Sequence, residues 1–447
     1  MAVCGLSSAV CGLRSVVCGL SPAQLLYICS NEHVPENVIT VGLILPEMAR
    51  SASDEHLEEL GKLVETAGGI VVATLVARRP APDPASFIGS GKAEELKRTA
   101  ERHEVGLIVF DDDLSPAQVR NLEKITGTKV IDRSALILDI FAGRARSREA
   151  RTQVELAQLE YLLPRLTRQW SHLERQAGGI GTRGVGETQL ELDRRIVRTR
   201  ISRLKDELSR IEKHRQTQRK ARQSAFTVAL VGYTNAGKST LFNGLTGGSA
   251  EAMDKLFATL DAKSSRAAFE MPRETVVIDT VGFIRKLPHH LVASFRSTME
   301  EAVAADLVLH VIDQSHPQFE DQREIGEKVL TDLGVDPSHV LEVYNKSDRV
   351  DDALEARRRN AVSISALTGK GIDLLVDAIR DREVAGGEMM QLEIPYDDSR
   401  LSAKLHEVGE VFEQRPNGEA THFSAWVPRQ YVHLFERYAV RLDEKVG

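Results

Sequence analysis

Residues 226–239 read Phe226-Thr-Val-Ala-Leu-Val-Gly-Tyr-Thr-Asn-Ala-Gly-Lys-Ser239, and this stretch decides the fold. Phe226 to Val231 is a run of strand length, apolar or β-branched throughout, as in a strand buried on both faces. The eight residues that follow match Gly-x-x-x-x-Gly-Lys-Ser without a mismatch. Gly232, Tyr233, Thr234, Asn235, Ala236 and Gly237 supply a loop whose glycines let successive N–H groups turn toward an anion. Lys238 can reach β- and γ-phosphate oxygens, and Ser239 can offer its hydroxyl to Mg²⁺. The helix predicted from Ser239 to Leu245 turns the positive end of its dipole toward them. The competing reading is a strand-to-helix turn without a ligand, and the strand before and helix after count against it.

Three further motifs follow, each just after an apolar run. Asp279-Thr280-Val281-Gly282 closes the strand predicted over Glu274 to Asp279. Asp279 can hold Mg²⁺ through a water, and the Gly282 amide can meet a γ-phosphate. Asn345-Lys346-Ser347-Asp348 closes the strand His339 to Tyr344. The two oxygens of Asp348 suit the N1–H and N2–H₂ donors of guanine; adenine has no such pair, so GTP is favoured over ATP. Ser365-Ala366, ahead of Leu367, follows the short strand Ala361 to Ile364 and can present a backbone N–H to guanine O6. Each motif alone also reads as a helix cap; four in this order make the joint signal.

That order resembles the P-loop GTPases, and the rest of the chain narrows it. Gly178-Gly179-Ile-Gly-Thr-Arg183-Gly-Val-Gly-Glu-Thr-Gln-Leu-Glu-Leu-Asp-Arg194-Arg195 resembles the signature of the HflX family of ribosome-associated GTPases. Phe87-Ile-Gly-Ser-Gly-Lys-Ala-Glu-Glu-Leu96 and Asp279-Thr-Val-Gly-Phe283 match the same family, and the likeness runs over about residues 37–430. It implies GTP hydrolysis to GDP with Mg²⁺, binding to the large ribosomal subunit, and splitting or rescue of stalled ribosomes in the cytoplasm. It also implies a switch threonine in Phe257-Ala258-Thr259-Leu260-Asp261, with Thr259 joining Ser239 and Asp279 around Mg²⁺. Lys238, Thr259 and Gly282 are then the catalytic candidates. Phe283 stands where many signalling GTPases carry a water-orienting glutamine, so unaided turnover is expected to be slow. In related GTPases an asparagine placed like Asn235 helps to hold K⁺; the alternative is that Asn235 only fits the turn.

The sequence has 447 residues, 28% charged and 42% hydrophobic, enough for several domains with cores. Net charge is −7, which argues against a generic nucleic-acid binder, yet residues 144–222 carry +10 and the remainder −17. A basic segment in an acidic chain suits phosphate backbones, with a solvated helical face as the competing reading. Within it, Leu156, Leu159, Leu163, Leu166, Trp170 and Leu173 form one heptad stripe, and Val197, Ile201, Leu204, Leu208 and Ile211 a second. An antiparallel helical hairpin is expected, kinked at Pro164, with a glycine-rich tip at residues 178–186. The resemblance makes Gly178, Gly179, Arg183, Arg194 and Arg195 the RNA-contact candidates.

The expected organisation is α/β. An extension over 1–36 is followed by a small α/β domain over 37–143 and the hairpin over 144–222. A P-loop domain with a mostly parallel sheet spans 223–386, and a small α+β domain spans 387–447. The four cysteines all fall within the first 29 residues, in no metal-ligand spacing. That extension reads as flexible, with a transit peptide as the other reading. No run approaches the length of a membrane span, and a monomer is expected off the ribosome. Gly89-Ser-Gly-Lys92 lacks the four-residue gap and reads first as a helix cap. A second nucleotide site there would support the alternative function, ATP-driven RNA remodelling. His310, in mid-strand, reads as a core histidine.

Overall fold

The computed structural model describes residues 36–166, 185–220, 225–248, 256–257, 263–271, 273–286, 296–350 and 361–440. They fall into two compact units, 1–211 with 286–295, and 212–285 with 296–447.

The first unit is built on four parallel strands: β1 (Asn37–Ile44), β2 (Ile70–Arg78), β3 (Leu107–Phe110) and β4 (Lys129–Asp132), in the order β2-β1-β3-β4. Ile39, Val41, Ile108 and Phe110 are fully buried, which explains why these strands lack polar alternation. The crossovers are helical. α1 (Arg50–Thr66) buries the stripe Leu57, Leu60, Leu63 and Val64. α2 (Ser90–Arg102) has Gly89 at its N-cap with φ 87°, so the Gly89-Ser-Gly-Lys92 turn does open a helix, and Lys92 pairs with Glu95 at 2.9 Å. α3 (Pro116–Thr126) starts with a capping box between Ser115 and Gln118 and stops at left-handed Gly127. α4 (Arg133–Arg144), not anticipated from the sequence, is capped by Asp132, which accepts from the Ala135 amide at 2.9 Å.

α5 (Arg148–Leu162) and α6 (Val185–Lys220) carry the two heptad stripes. Leu156, Ile201 and Leu204 form a small core joined by Leu159, Leu163, Val197 and Leu208. Charged pairs flank it, with Arg200 bidentate on Glu155 at 2.7 and 2.9 Å. The helix is interrupted at the expected Pro164, and the residues from 167 to 184 lie outside the described residues. α5 stops at Leu162 and residues 163–166 form a turn, because proline offers no N–H and its ring crowds the preceding turn. Trp170, Leu173 and the glycine-rich tip with Gly178, Gly179 and Arg183 lie outside the described residues.

One sheet of the second unit has six strands: β5 (Phe226–Gly232), β6 (Lys263–Arg266), β7 (Thr275–Asp279), β8 (Leu307–Asp313), β9 (Val340–Asn345) and β10 (Ala361–Ser363). Their order is β10-β9-β8-β5-β7-β6, parallel except for β6 against β7. Val228, Leu230, Val277, Leu309 and Val343 pack with Leu241 and Leu245 of α7 (Lys238–Thr246) in the core beneath the phosphate loop. Leu375 and Ile379 of α10 (Ile372–Gly386) join this core, and α8 (Arg296–Val303) and α9 (Phe319–Asp332) pack against β5 and β8.

A second sheet follows: β11 (Gly387–Pro395), β12 (Glu410–Asn417) and β13 (Ala420–Pro428), ordered β11-β13-β12 and antiparallel. Leu392, Phe423, Ala425 and Val427 turn inward onto Leu405 of α11 (Ser399–Val408) and Phe435 of α12 (Arg429–Phe435). Trp426 lies on the opposite face yet is buried, because the Arg273 guanidinium covers its ring at 3.6 Å. Arg273 Nε also donates to Glu383 at 3.1 Å, a pair almost sealed from water. Thus the turn between β6 and β7 is anchored to the second sheet.

Candidate nucleotide site

Four loops leave the carboxyl ends of β5, β7, β9 and β10, the edge where parallel α/β sheets place ligands. The phosphate loop sits between strands that forbid side chains. A Cβ on Gly232, at φ 147°, would lie 2.1 Å from the Val311 carbonyl oxygen; one on Gly237, at φ 93°, would lie 2.2 Å from Asn345 Nδ2. Glycine is therefore a packing requirement at both positions as well as a conformational one. Asn235 adopts a left-handed φ of 63° and is exposed at the loop crest, a conformation asparagine tolerates.

Lys238 is buried, with Nζ donating to the carbonyls of Gly232 at 3.1 Å and Tyr233 at 2.9 Å. Burial pushes its ammonium down to about 8, while the charge of Asp279 pulls the other way. Ser239 Oγ donates to Asp279 Oδ2 at 2.9 Å. A hydroxyl and a carboxylate meeting at a helix start are hard oxygen donors, and they suit Mg²⁺.

The Asp279-Thr-Val-Gly282 segment is folded down onto the phosphate loop. Phe283 N donates to the Gly232 carbonyl at 2.9 Å, and Thr234 N donates to the Phe283 carbonyl at 2.7 Å. Thr280 is tied to the Leu230 carbonyl at 2.7 Å, Val281 is buried, and Phe283 is buried at 2% exposure. Its ring is therefore withdrawn into the core, where it has no group to offer to water. Tyr233 Oη accepts from the Arg285 amide at 2.9 Å.

At the other end, Asn345 bolts the loops together: Nδ2 donates to the Ala236 carbonyl at 2.8 Å, and Oδ1 accepts from Ala366 N at 2.9 Å. Asp348 Oδ1 accepts from Ser365 Oγ at 2.5 Å, which fixes that carboxylate. Lys346, left-handed at φ 64°, reaches Asp313 at 2.7 Å, and Ser347 is buried beside it. The Ser365 amide donates to the Lys370 carbonyl, so the N–H groups of both residues, one of which was expected to face guanine O6, are engaged; a base would share or displace the Ala366 bond. Leu367 is 75% exposed at the rim.

The structure thus brings together the phosphate loop, Asp279 to Gly282, Asn345 to Asp348, and Ser365 to Leu367. Of the predicted switch segment only Phe257 is described, buried and at φ 57°; Ala258, Thr259, Leu260 and Asp261 lie outside the described residues. Arg194 is half-exposed and Arg195 exposed on α6. His310 is a core histidine, buried on β8 and pushed down to about 4, first by desolvation and then by Arg323 and Lys238. Sequence reasoning missed the Tyr233–Arg285 contact, which joins residues 52 apart and leaves no local signal.

Family descriptions match in series: "GTP-binding GTPase N-terminal" over residues 54–142, "GTP-binding GTPase Middle Region" over 144–222, and "50S ribosome-binding GTPase" over 227–346. A "GTPase HflX" of Caldanaerobacter subterraneus is 46% identical over 83% of this chain and 87% of its own. The chain belongs to the HflX family of GTPases. The Escherichia coli HflX relative is likewise 46% identical, over 79% of this chain and 85% of its own. Among solved structures, a GTP-binding protein from Sulfolobus solfataricus in complex with GDP is 25% identical over 78% of this chain and 99% of that one, with TM-score 0.41. As an HflX-family member the chain is a GTPase with the P-loop fold. Among the described residues no helix is long and apolar enough to cross a membrane.

Proposed function

We propose that this chain hydrolyses GTP to GDP and phosphate with Mg²⁺, and that its nucleotide state gates binding to the large ribosomal subunit, where it splits or rescues stalled ribosomes. The carrying observation is that one sheet edge holds Lys238, the Ser239–Asp279 pair and the Asp348–Ser365 pair in fixed register. In this reading the loop amides and Lys238 cradle the phosphates, and the residues from Asn345 to Asp348 with Ser365 to Leu367 hold guanine. Ser239 and Asp279, with Thr259, would hold Mg²⁺, which neutralises charge developing on the phosphate oxygens. The Gly282 amide fixes the γ-phosphate. Phe283 is buried and carries no polar group, so attacking water must be oriented by something else, and a ribosomal partner is our candidate.

The "50S ribosome-binding GTPase" description of the matched family supports that partner, as does the net +10 charge of residues 144–222. Gly178, Gly179, Arg183, Arg194 and Arg195 are our RNA-contact residues, and the cytoplasm is the expected compartment. Asn235, exposed at the loop crest, is our candidate K⁺ ligand. Purified large subunits should raise GTP turnover strongly, and the chain should co-sediment with them under a non-hydrolysable GTP analogue but not under GDP. No stimulation and no co-sedimentation would overturn the ribosomal reading. Equal turnover in KCl and NaCl would remove K⁺ from it.

A further inference from the structure

The phosphate loop is met from above by the segment that follows β7, and their contact is more than packing. Lys238 Nζ lies 2.9 Å from where a Gly282 Cβ would stand. The Gly282 Cα is therefore at most about 4.4 Å from that ammonium. A phosphate oxygen bridging an ammonium and an amide needs about 2.8 Å on each side. In this arrangement the Gly282 backbone stands close against the ammonium, and Lys238 turns its donors to loop carbonyls. A diphosphate needs no room here; a third phosphate does. Two bonds through Phe283 hold the segment down, and both are backbone bonds that any residue could make. The side-chain tie to the phosphate loop is the Tyr233 hydroxyl accepting from Arg285 N at 2.9 Å, on a ring that is itself buried at 5% exposure, while the Arg285 guanidinium donates to Gln318 at 2.7 Å on the other side. Among the described residues, Thr234 Oγ1 is also left buried without a hydrogen-bond partner in the closed arrangement, a cost that opposes closure.

We infer that Tyr233 is a specificity-determining residue for phosphate number: its hydroxyl latches the Gly282–Arg285 segment across the γ-phosphate position and so disfavours GTP relative to GDP. GTP must break that bond to seat its third phosphate, and GDP leaves it intact. The idea rests on the guanine-nucleotide reading of the site.

The test is Tyr233→Phe, which keeps the ring and deletes only the hydroxyl. Affinities for GDP and for a non-hydrolysable GTP analogue are measured with Mg²⁺ by titration calorimetry on the full chain. Loss of one net hydrogen bond from the closed state should shift the affinity ratio toward the triphosphate by about three- to tenfold. GDP binding in the same samples reports that the loop is folded. An unchanged ratio, a ratio moving toward GDP, or equal weakening of both nucleotides overturns the latch. Failure of the underlying reading looks different: the unaltered chain would bind neither nucleotide.

Discussion

Nucleotide binding should draw protons from solution, in an amount set by Lys238. In the free protein burial pushes this ammonium down to about 8. Phosphate oxygens around it favour the charged form and return it to its ordinary range, near 10.4. The sites that are deprotonated before binding must then be protonated during it. That is about a tenth of a proton per nucleotide at pH 7, about half at pH 8 and about nine-tenths at pH 9. Affinity should fall by about tenfold between pH 7 and pH 9, or about 1.4 kcal/mol. Calorimetric titration with GDP and Mg²⁺ in two buffers of different ionisation heat gives the proton count directly. The second ionisation of the phosphates, near pH 6, leaves about a tenth of a proton to release at pH 7 and almost none from pH 8 upward, so the rise in uptake between pH 8 and pH 9 belongs to Lys238. A Lys238→Arg protein, whose guanidinium stays charged, should show no rise in uptake with pH. Uptake that is equal at pH 7 and pH 9 would refute the reasoning, as would a rise that survives in the arginine variant.

His310 gives a stability signature of its own. Its folded-state value of about 4 lies below the unfolded 6.5, so the unfolded chain binds the extra proton between those values. Stability should be lost as pH falls through that window, at up to about 1.4 kcal/mol per pH unit. Urea unfolding of His310→Val should show a correspondingly shallower pH slope. Arg273→Ala strands Glu383, which is 0% exposed, and should cost about 3–5 kcal/mol; thermal unfolding checks it, with Arg273→Lys recovering only part because the ammonium cannot stack flat on Trp426. Gly237→Ala combines left-handed strain with a collision at Asn345, and should weaken GDP binding at least about thirtyfold by calorimetry. Asp348→Asn removes the acceptor pair proposed to hold guanine, so GDP should lose its advantage over other nucleoside diphosphates in competition titrations; retained base preference would contradict the assignment of Asp348.

The parts of this fold that were legible in the sequence are those fixed by local chemistry. A run such as Phe226 to Val231 can only be buried, and the residues after it declare their loop by glycine and lysine spacing. The stripe of Val197, Ile201, Leu204 and Leu208 is similarly local, and α6 carries it. The elements that were missed depend on distant partners or ambiguous patterns. β6 is Lys-Ser-Ser-Arg, exposed throughout, and is a strand only because β7 pairs with it. α4 is too uniformly apolar to show a helical period, although its Asp132 cap was there to be read. Within the site, residue types were readable and their couplings were not. Nothing near Ala366 reveals that its amide serves Asn345, 21 residues away. Nothing near Arg273 reveals Glu383, 110 residues on.

The anchoring of Arg273 bears on how such a chain can be dissected. A fragment ended just before Gly387 would keep the guanidinium and its carboxylate while losing the indole ring that roofs them. Water would reach a charged pair formerly shielded, right at the bend of the hairpin whose far strand delivers Asp279. Turnover measured on such a fragment would therefore report a loosened scaffold as well as a missing module, and the two are separated only by trimming the chain elsewhere.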